Sequence, residues 1–360
     1  MSHATFQQNA RPRPPHSFPE QARVLNLLVD DRWSEGGIRR FSQELISRID
    51  ARFAVSRLSA KWHLQRPLNP INPLWLAAEL NRRRPDVFWS PGFMSPISSQ
   101  APFVFSIHDL IHARLVKGIR AAYFNSILRP LCKKAHKIVT VSEFSRHEIC
   151  DWAGLPADRV VPIHNAATDR FTPEGPEFSP NYPYLLYIGV HSEHKNLPAL
   201  VRAFAASGLA KECKLLLSGE PDAELRAIAL ALRIENSLVF AGFIPDAELP
   251  AYYRGALALV LVSTYEGFGI PPLEAMACGT PVLCSNTTSL PEVVGSAALL
   301  VDPTDLEEIA EGMRRIVFQE SLREGLISKG FERCSRFSWE ISSRKLCDLL
   351  AAAAGTSPNE

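Results

Sequence analysis

No CxxC pair occurs among the seven cysteines, no stretch approaches the eighteen or so consecutive apolar residues that a membrane span needs, and neither sign of charge dominates. Each absence excludes something. Cys132, Cys150, Cys213, Cys278, Cys284, Cys334 and Cys347 form an odd set scattered through apolar or helical segments, which fits reduced, mostly buried thiols in a cytoplasmic protein. With 39 Lys and Arg against 38 Asp and Glu the formal net charge is +1, so there is no general attraction to nucleic acid. The local clusters Arg82-Arg83-Arg84 and Lys133-Lys134-Lys137 are left as solvated helix faces or as contacts to a membrane surface or an acceptor. Residues 1–22 are polar and rich in proline and arginine, lack the apolar core of a secretory signal, and are expected to form a disordered tail. No GxGxxG follows an early strand, which disfavours a dehydrogenase.

What is present is apolar material in regular portions. At 46% hydrophobic residues over 360 positions, the chain can fill two cores of about 150 to 180 residues each. Short β-rich runs alternate with amphipathic stretches, the pattern of βα units and of parallel sheets covered on both faces. Strands are expected at Val24–Val29, Ala54–Leu58, Asp86–Ser90, Phe103–Ile107, Ile138–Val141 and Val160–Ile163, with helices such as Ile38–Ile49 and Ser142–Ala153 between them. The Pro-rich TPEGPEFSPNYP (Thr172–Pro183) then reads as an interdomain linker. Beyond it come strands at Tyr184–Ile188, Lys214–Leu217, Leu238–Phe240, Leu257–Val262, Thr280–Cys284 and Ala298–Val301, and helices at Leu306–Val317 and Trp339–Ala354. This gives an α/β chain with one doubly wound, Rossmann-like domain over residues 23–171, a second over 184–338, and a terminal stretch, 339–360, that could cross back to the first. Ligands of such sheets sit at the carboxyl ends of the strands, so a site in the cleft between the domains is expected.

The most informative segment is EGFGIPPLEA, where Glu266 and Glu274 bracket a Gly-Pro turn between an apolar strand and a helix starting at Pro271 or Pro272. Free N–H groups and the positive end of the helix dipole suit a phosphate there, and carboxylates accept hydrogen bonds from the paired hydroxyls of sugars and riboses. The plain alternative is a turn cap at Glu266 and a dipole-complementing Glu274. GVHSEHKN places Gly189 at a strand end and Lys195 where the strand opens into the cleft, so the ammonium could neutralise a leaving diphosphate. In EGGIRRF, Gly36 and Gly37 precede a helix and could free N–H groups for a negative group, or simply make a tight turn. His108 and Asp109 of SIHDLIH fall at a carboxyl strand end, where His108 could meet a sugar, whereas His112 is expected to be structural. Ser142 and Glu143 of TVSEFSR read as an N-cap and its acidic support.

These pieces, in this order, together with IHNAATDRF, FAGFIPDAELPAYYRGA, SLPEVVG and FSWE, resemble glycosyltransferase family 4, retaining enzymes with the two-domain GT-B fold. The resemblance covers nearly the whole chain after residue 22. It implies that Glu266 lies by the donor sugar, that Glu274 accepts from the ribose, that Lys195 meets the diphosphate, and that the backbone at Phe268, Gly269 and Ile270 touches sugar or phosphates. It further implies that Phe243 and Ile244 border the base, that His108 faces the reacting sugar, and that Gly37 lies near the phosphates. Two positions depart from the family pattern. His194 stands where an arginine often precedes the lysine, and Ala166 where glycine often follows the asparagine of IHNAATD.

The resemblance implies transfer of a hexose, mannose from GDP-mannose first, onto a glycan or a lipid-linked acceptor. It implies no organic cofactor and no metal, since no Asp-x-Asp run sits at a strand end. A cytoplasmic protein with peripheral contact at the inner face of the cell membrane is the corresponding expectation. UDP-glucose-type transfer, a GT-B sugar-nucleotide epimerase and a non-catalytic nucleotide-sugar-binding subunit are the alternatives.

Overall fold

The computed structural model describes residues 23–33, 36–58 and 69–355, so the expected tail and Glu35 lie outside the described residues. The strands of the first half are β1 (Leu25–Asp30), β2 (Phe53–Leu58), β3 (Val87–Ser90), β4 (Phe103–Ser106), β5 (Lys137–Thr140) and β6 (Val160–Pro162). Those of the second half are β7 (Tyr184–Tyr187), β8 (Lys214–Leu217), β9 (Leu238–Phe240), β10 (Ala258–Leu261), β11 (Val282–Ser285) and β12 (Leu299–Val301). They form two six-stranded sheets, in the orders β2-β1-β3-β4-β5-β6 and β12-β11-β10-β7-β8-β9. All strand pairings in the two sheets are parallel, for example Leu27 opposite Val87 and Ala258 opposite Leu185.

The short uninterrupted apolar runs explain this frame. VFWS, FVFS, YLLY, ALVL and VLCS are buried at every position, as strands covered by helices on both faces must be. At the sheet edge β2 buries only Phe53 and Leu58, its two ends. In the first sheet the strand order reverses between β1 and β3, and in the second between β7 and β10. Such reversals open a crevice outside the carboxyl ends of the strands. The loops after β7 and β10, which carry Lys195 and Glu266, emerge at the second reversal.

Local chemistry sets the helix ends. Ser142 Oγ accepts from the Ser145 N–H at 3.0 Å and caps the Glu143–Ala153 helix, which stops at Gly154 with φ +64°. The sequence reading leaves the Glu320–Cys334 helix unassigned because only Leu326 and Gly330 are buried on it, too few to mark an apolar stripe. Gly330 is nonetheless in close contact with the Ile270–Ala277 helix, where a Cβ would stand 3.2 Å from Met276 Cγ.

The Trp339–Gly355 helix packs on the first domain. Trp339 meets Phe41 edge-on at 6.2 Å, Arg48 Nε reaches Glu340 at 2.9 Å, and Ser343 Oγ donates to the Arg48 carbonyl at 2.8 Å. Thr172–Pro183, read as a linker, is pinned to the second domain. Arg254 donates to the carbonyls of Thr172 and Pro176 at 3.0 and 2.9 Å, and Phe178 stacks on Tyr252 with centroids 4.0 Å apart. The basic clusters are largely paired or bonded: Arg82 and Arg83 share Glu79, Lys134 donates to the Ile97 carbonyl, and Lys137 to Asp158. No helix of the described residues is long and apolar enough to cross a membrane.

Candidate active site

The site is built around the loop after β10. Lys195 Nζ lies 2.7 Å from Glu266 Oε1, and Ser263 Oγ donates to the same oxygen at 2.7 Å. The lysine is placed by its neighbour. Asn196 adopts the left-handed region at φ +58° and its amide donates to the carbonyls of Val262 at 3.2 Å and Pro303 at 2.8 Å, which ties the Glu193–Lys195 turn to the ends of β10 and β12. Glu266 is itself held by a hydrogen bond from its N–H to Thr288 Oγ1 at 3.2 Å.

The rest of the loop is fixed through its carbonyls. Ser289 Oγ lies 2.8 Å from both the Glu266 and Phe268 carbonyl oxygens, and Ser142 and Ser145 of the opposite domain donate to Gly267 O at 2.7 and 3.1 Å. The N–H groups of Phe268, Gly269 and Ile270 make no hydrogen bond among the described residues. They stand at the start of the Ile270–Ala277 helix, the arrangement that receives an anion. Gly269 has φ +116° and a Cβ there would come within 2.7 Å of Leu290, so glycine is required on both counts. At Gly267 a Cβ would fall 2.8 Å from Asp109 Cβ and 3.0 Å from the His108 carbonyl, so the loop lies directly against the first domain.

Glu274 sits one helical stretch further on and is 2% exposed. Arg40 of the first domain, on the Gly36–Ile46 helix, is ion-paired with its Oε1, and Tyr253 Oη donates to Oε2 at 2.9 Å. Arg40 also reaches Asp246 at 3.3 Å. Burial pushes the Glu274 carboxyl above its usual range and Arg40 opposes that shift; burial opposes the Arg40 charge, and Glu274 with Asp246 more than offset it. A carboxylate has about four lone-pair sites, so Glu274 retains acceptor capacity beyond these two partners.

His108 donates from Nε2 to the Pro91 carbonyl at 2.9 Å and stands edge-on to Phe41 at 4.8 Å, with burial pushing its pKa down to about 4. It is therefore neutral at physiological pH, and its Nδ1 carries no proton. His194 is half-buried, and burial followed by the Lys195 ammonium lowers its pKa below the ordinary imidazole value. It supplies no second cation near neutral pH. Phe268 turns its ring away from the loop, stacked on His164 at 6.0 Å and edge-on to Phe337 at 5.7 Å, so only its N–H faces the anion position. Gly189 has its N–H bonded to Ser218 Oγ at 2.9 Å, and a Cβ there would meet the Tyr187 hydroxyl at 2.7 Å. After β9, Phe243 is 82% exposed and Ile244 only 6% exposed. Gly36 starts its helix, and the space beside Gly37 is open to 4 Å. Ala166 is buried among core residues.

The sequence reading missed the residues that join the two halves. Glu292 accepts from the N–H groups of Glu143 at 2.8 Å and Phe144 at 3.0 Å, so it supports from across the cleft the helix that Ser142 caps. Those bonds and His164 hold its carboxyl below the ordinary value despite burial. Tyr265 donates to Glu148 and accepts from the Leu110 N–H at 3.2 Å. Asp109, mentioned only as a neighbour of His108, faces the Glu266 loop. Burial pushes its carboxyl up to about 6, with the Glu266 charge adding to the shift and the Ile111 N–H and Lys195 opposing it. His112, expected to be structural, packs between Phe93 and Phe124 and also lines the cleft.

Residues 36–169 match the family model described as Glycosyltransferase Family 4, and residues 169–333 match the one described as Glycosyl transferases group 1. The chain belongs to glycosyltransferase family 4. It is 38% identical over 236 residues to O-antigen chain mannosyltransferase B of Escherichia coli, a match that covers 61% of this chain and 62% of that one. It is 28% identical to the serotype-specific mannosyltransferase WbdA of the same organism over 62% of this chain, but only 29% of that longer protein is covered. The chain thus matches less than two thirds of the length of these relatives. Solved structures share the fold at low identity. Sucrose-phosphate synthase from Thermosynechococcus elongatus superposes with a TM-score of 0.73 at 20% identity, covering 91% of this chain and 98% of that one. The Anabaena protein HepE in complex with UDP and glucose gives 0.71 at 17% identity, covering 91% and 100%. The two facing sheets are those of a GT-B fold.

Proposed function

We propose that this protein is a retaining glycosyltransferase that moves a hexose, mannose from GDP-mannose, onto a hydroxyl of a glycan or lipid-linked acceptor. The observation that carries the reading is the contact of Lys195 with Glu266 beside three unpartnered N–H groups at a helix start, where the two sheets meet. A diphosphate placed on that helix end would have its charge met by the N–H groups, the dipole and the Lys195 ammonium, which makes it a better leaving group. Glu266, already a hydrogen-bond acceptor held in place by Ser263, can receive hydroxyls of the donor sugar, and Glu274 those of the ribose. Phe243 offers an exposed ring and Ile244 an apolar floor for a base.

Transfer breaks the bond between the sugar C1 and the diphosphate oxygen and forms one from C1 to the acceptor oxygen on the same face. The hydroxyl proton passes to the departing phosphate oxygen, as the family resemblance favours. No protein group need take that proton, which agrees with a His108 ring tied to the Pro91 carbonyl. The mannosyltransferase names of the relatives support mannose and a surface glycan acceptor. Such an acceptor would bring the protein to the cytoplasmic face of a membrane as a peripheral partner. The HepE complex with UDP and glucose supports UDP-glucose as the second donor to test.

A thermal-shift panel of GDP-, UDP- and ADP-sugars tests the donor, because a ligand that binds only the native form raises its melting temperature by mass action. GDP-mannose is expected to give the largest rise, and NMR of the product should show an α-linkage from the α-donor. A flat panel would reject the reading.

A further inference from the structure

The Glu143–Ala153 helix of the first domain turns one polar stripe toward the loop after β10. Ser142, Ser145 and Glu148 are spaced three residues apart, so the cap and two helical side chains share a face. All three are buried, the serines at 0 and 1% exposed. Ser142 and Ser145 both donate to the Gly267 carbonyl, and Glu148 accepts from the Tyr265 hydroxyl, so the first domain holds the residue on either side of Glu266. Glu148 is itself paired with Arg114, and the Tyr265 ring meets Phe144 edge-on at 5.8 Å. The second domain holds this helix in return, through Glu292 on the Glu143 and Phe144 N–H groups.

The Gly267 carbonyl and the Phe268 N–H belong to one peptide unit. That unit is trans, so its C=O and N–H point in opposite directions. Two hydroxyls on the carbonyl occupy both of its lone pairs and fix the plane. The Phe268 N–H, without a partner among the described residues, is thereby aimed away from the serines and left open at the helix start. The same bonds polarise the unit, which makes its N–H a stronger donor. The next peptide is set differently. Ser289, in the second domain itself, lies 2.8 Å from the Phe268 carbonyl, which shares its peptide unit with the Gly269 N–H. Of two neighbouring N–H groups at the anion position, one is set by its own domain and the other from across the cleft.

We propose that Ser142 and Ser145 are positioning residues for the transfer reaction: from the opposite domain they orient the Phe268 N–H toward the diphosphate. The assignment rests on the glycosyltransferase reading above and adds to it what the cap position does beyond starting a helix. Neither serine touches the donor or moves a proton in it. The contact of Lys195 with Glu266 does not depend on them, because both of its members lie in the second domain. The anion site thus has a part that stands with one domain alone and an N–H that needs both.

The test uses the full chain with GDP-mannose as donor. Ser145→Ala removes one hydroxyl donor and leaves the cap, because Ser142 accepts from the Ser145 backbone N–H. Its kcat for GDP release should fall about tenfold, less than the roughly 10² to 10³-fold loss that follows when such a donor is removed outright. Ser343→Ala is the stability control. Its hydroxyl makes a comparable bond on the Trp339–Gly355 helix, to the Arg48 carbonyl at 2.8 Å, so the variant should melt lower by a similar amount yet keep the parent kcat. The direct readout is the Phe268 amide, followed by NMR in protein carrying isotope-labelled phenylalanine and assigned by its loss in Phe268→Leu. On addition of GDP its proton should move downfield in the parent, and by less than half as much in Ser145→Ala. A parent-like kcat or a parent-like amide response in Ser145→Ala, or an equal kcat loss in Ser343→Ala, would overturn the proposal. A parent amide that responds to neither GDP nor UDP would overturn the functional reading first and this assignment with it.

Discussion

Glu266, in the loop after β10, and Glu274, within the Ile270–Ala277 helix that follows, belong to the same strand-turn-helix unit and are held in opposite ways. Glu266 is paired within its own domain, by Lys195 from the adjacent βα loop and by Ser263 three residues before it. Glu274 is paired across the cleft, by Arg40, and from below by Tyr253. The first pairing is a property of one sheet's switch point and persists in any relation of the two domains. The second exists only while the domains are closed on each other. One carboxylate therefore belongs to the chemistry of a single domain, and the other reports on how the two are placed.

Removing Lys195 should separate the two most sharply. Lys195→Ala should lower kcat by about 10² to 10³-fold, the usual loss when one charge-stabilising donor is taken from a transition state. Glu266→Gln should also be impaired, and full turnover in both would remove the roles given to them. For the cross-cleft pair the effect should appear first in stability. Arg40→Ala leaves the Glu274 carboxylate buried with Tyr253 alone and should destabilise by about 3 kcal/mol, the lower end for a broken buried pair because Arg40 is itself partly exposed. Thermal melts check this, and Arg40→Ala/Glu274→Gln should recover part of the loss, since the double variant buries no unpaired charge.

Gly267→Ala sharpens the same contrast from the loop between them. Its methyl would meet Asp109 and the His108 carbonyl, so the closed contact should weaken by about 1 to 3 kcal/mol. Small-angle scattering should show a larger radius of gyration, and the cross-domain Arg40 pair should loosen while the Lys195 pair remains. Glu292→Gln removes the charge that supports the Glu143–Ala153 helix from the far domain and should cost about 1 kcal/mol. The smallest effect concerns His108. With a pKa near 4 it stays neutral from pH 5 to 8, and His108→Asn should leave the shape of the pH profile unchanged over that range.

Much of this molecule is written in short-range patterns. The twelve β-rich runs lie within a residue or two of the observed strands because a strand buried on both faces needs four or so consecutive apolar residues, and such runs are visible without any partner. Lys195 and Glu266 could be singled out because each follows a strand end and precedes a helix, and those positions gather at a switch point whatever the details of packing. The Glu320–Cys334 helix escaped because a mostly exposed helix carries little apolar periodicity. Arg40 and Glu292 escaped for a different reason. Their partners lie 234 and about 149 residues away in sequence, and nothing local distinguishes a cleft arginine from a solvated one.

The chain by itself determined the two parallel sheets, the order of their βα units and the presence of a phosphate-suited helix start after β10, because each depends on residues a few positions apart. Only the tertiary structure decided which groups face those units across the cleft: Arg40 on Glu274, Ser142 and Ser145 on the Gly267 carbonyl, Asp109 against the Glu266 loop. The physical reason is that such contacts arise from how one rigid sheet sits on another, a quantity to which every buried side chain at the interface contributes and which no single segment encodes.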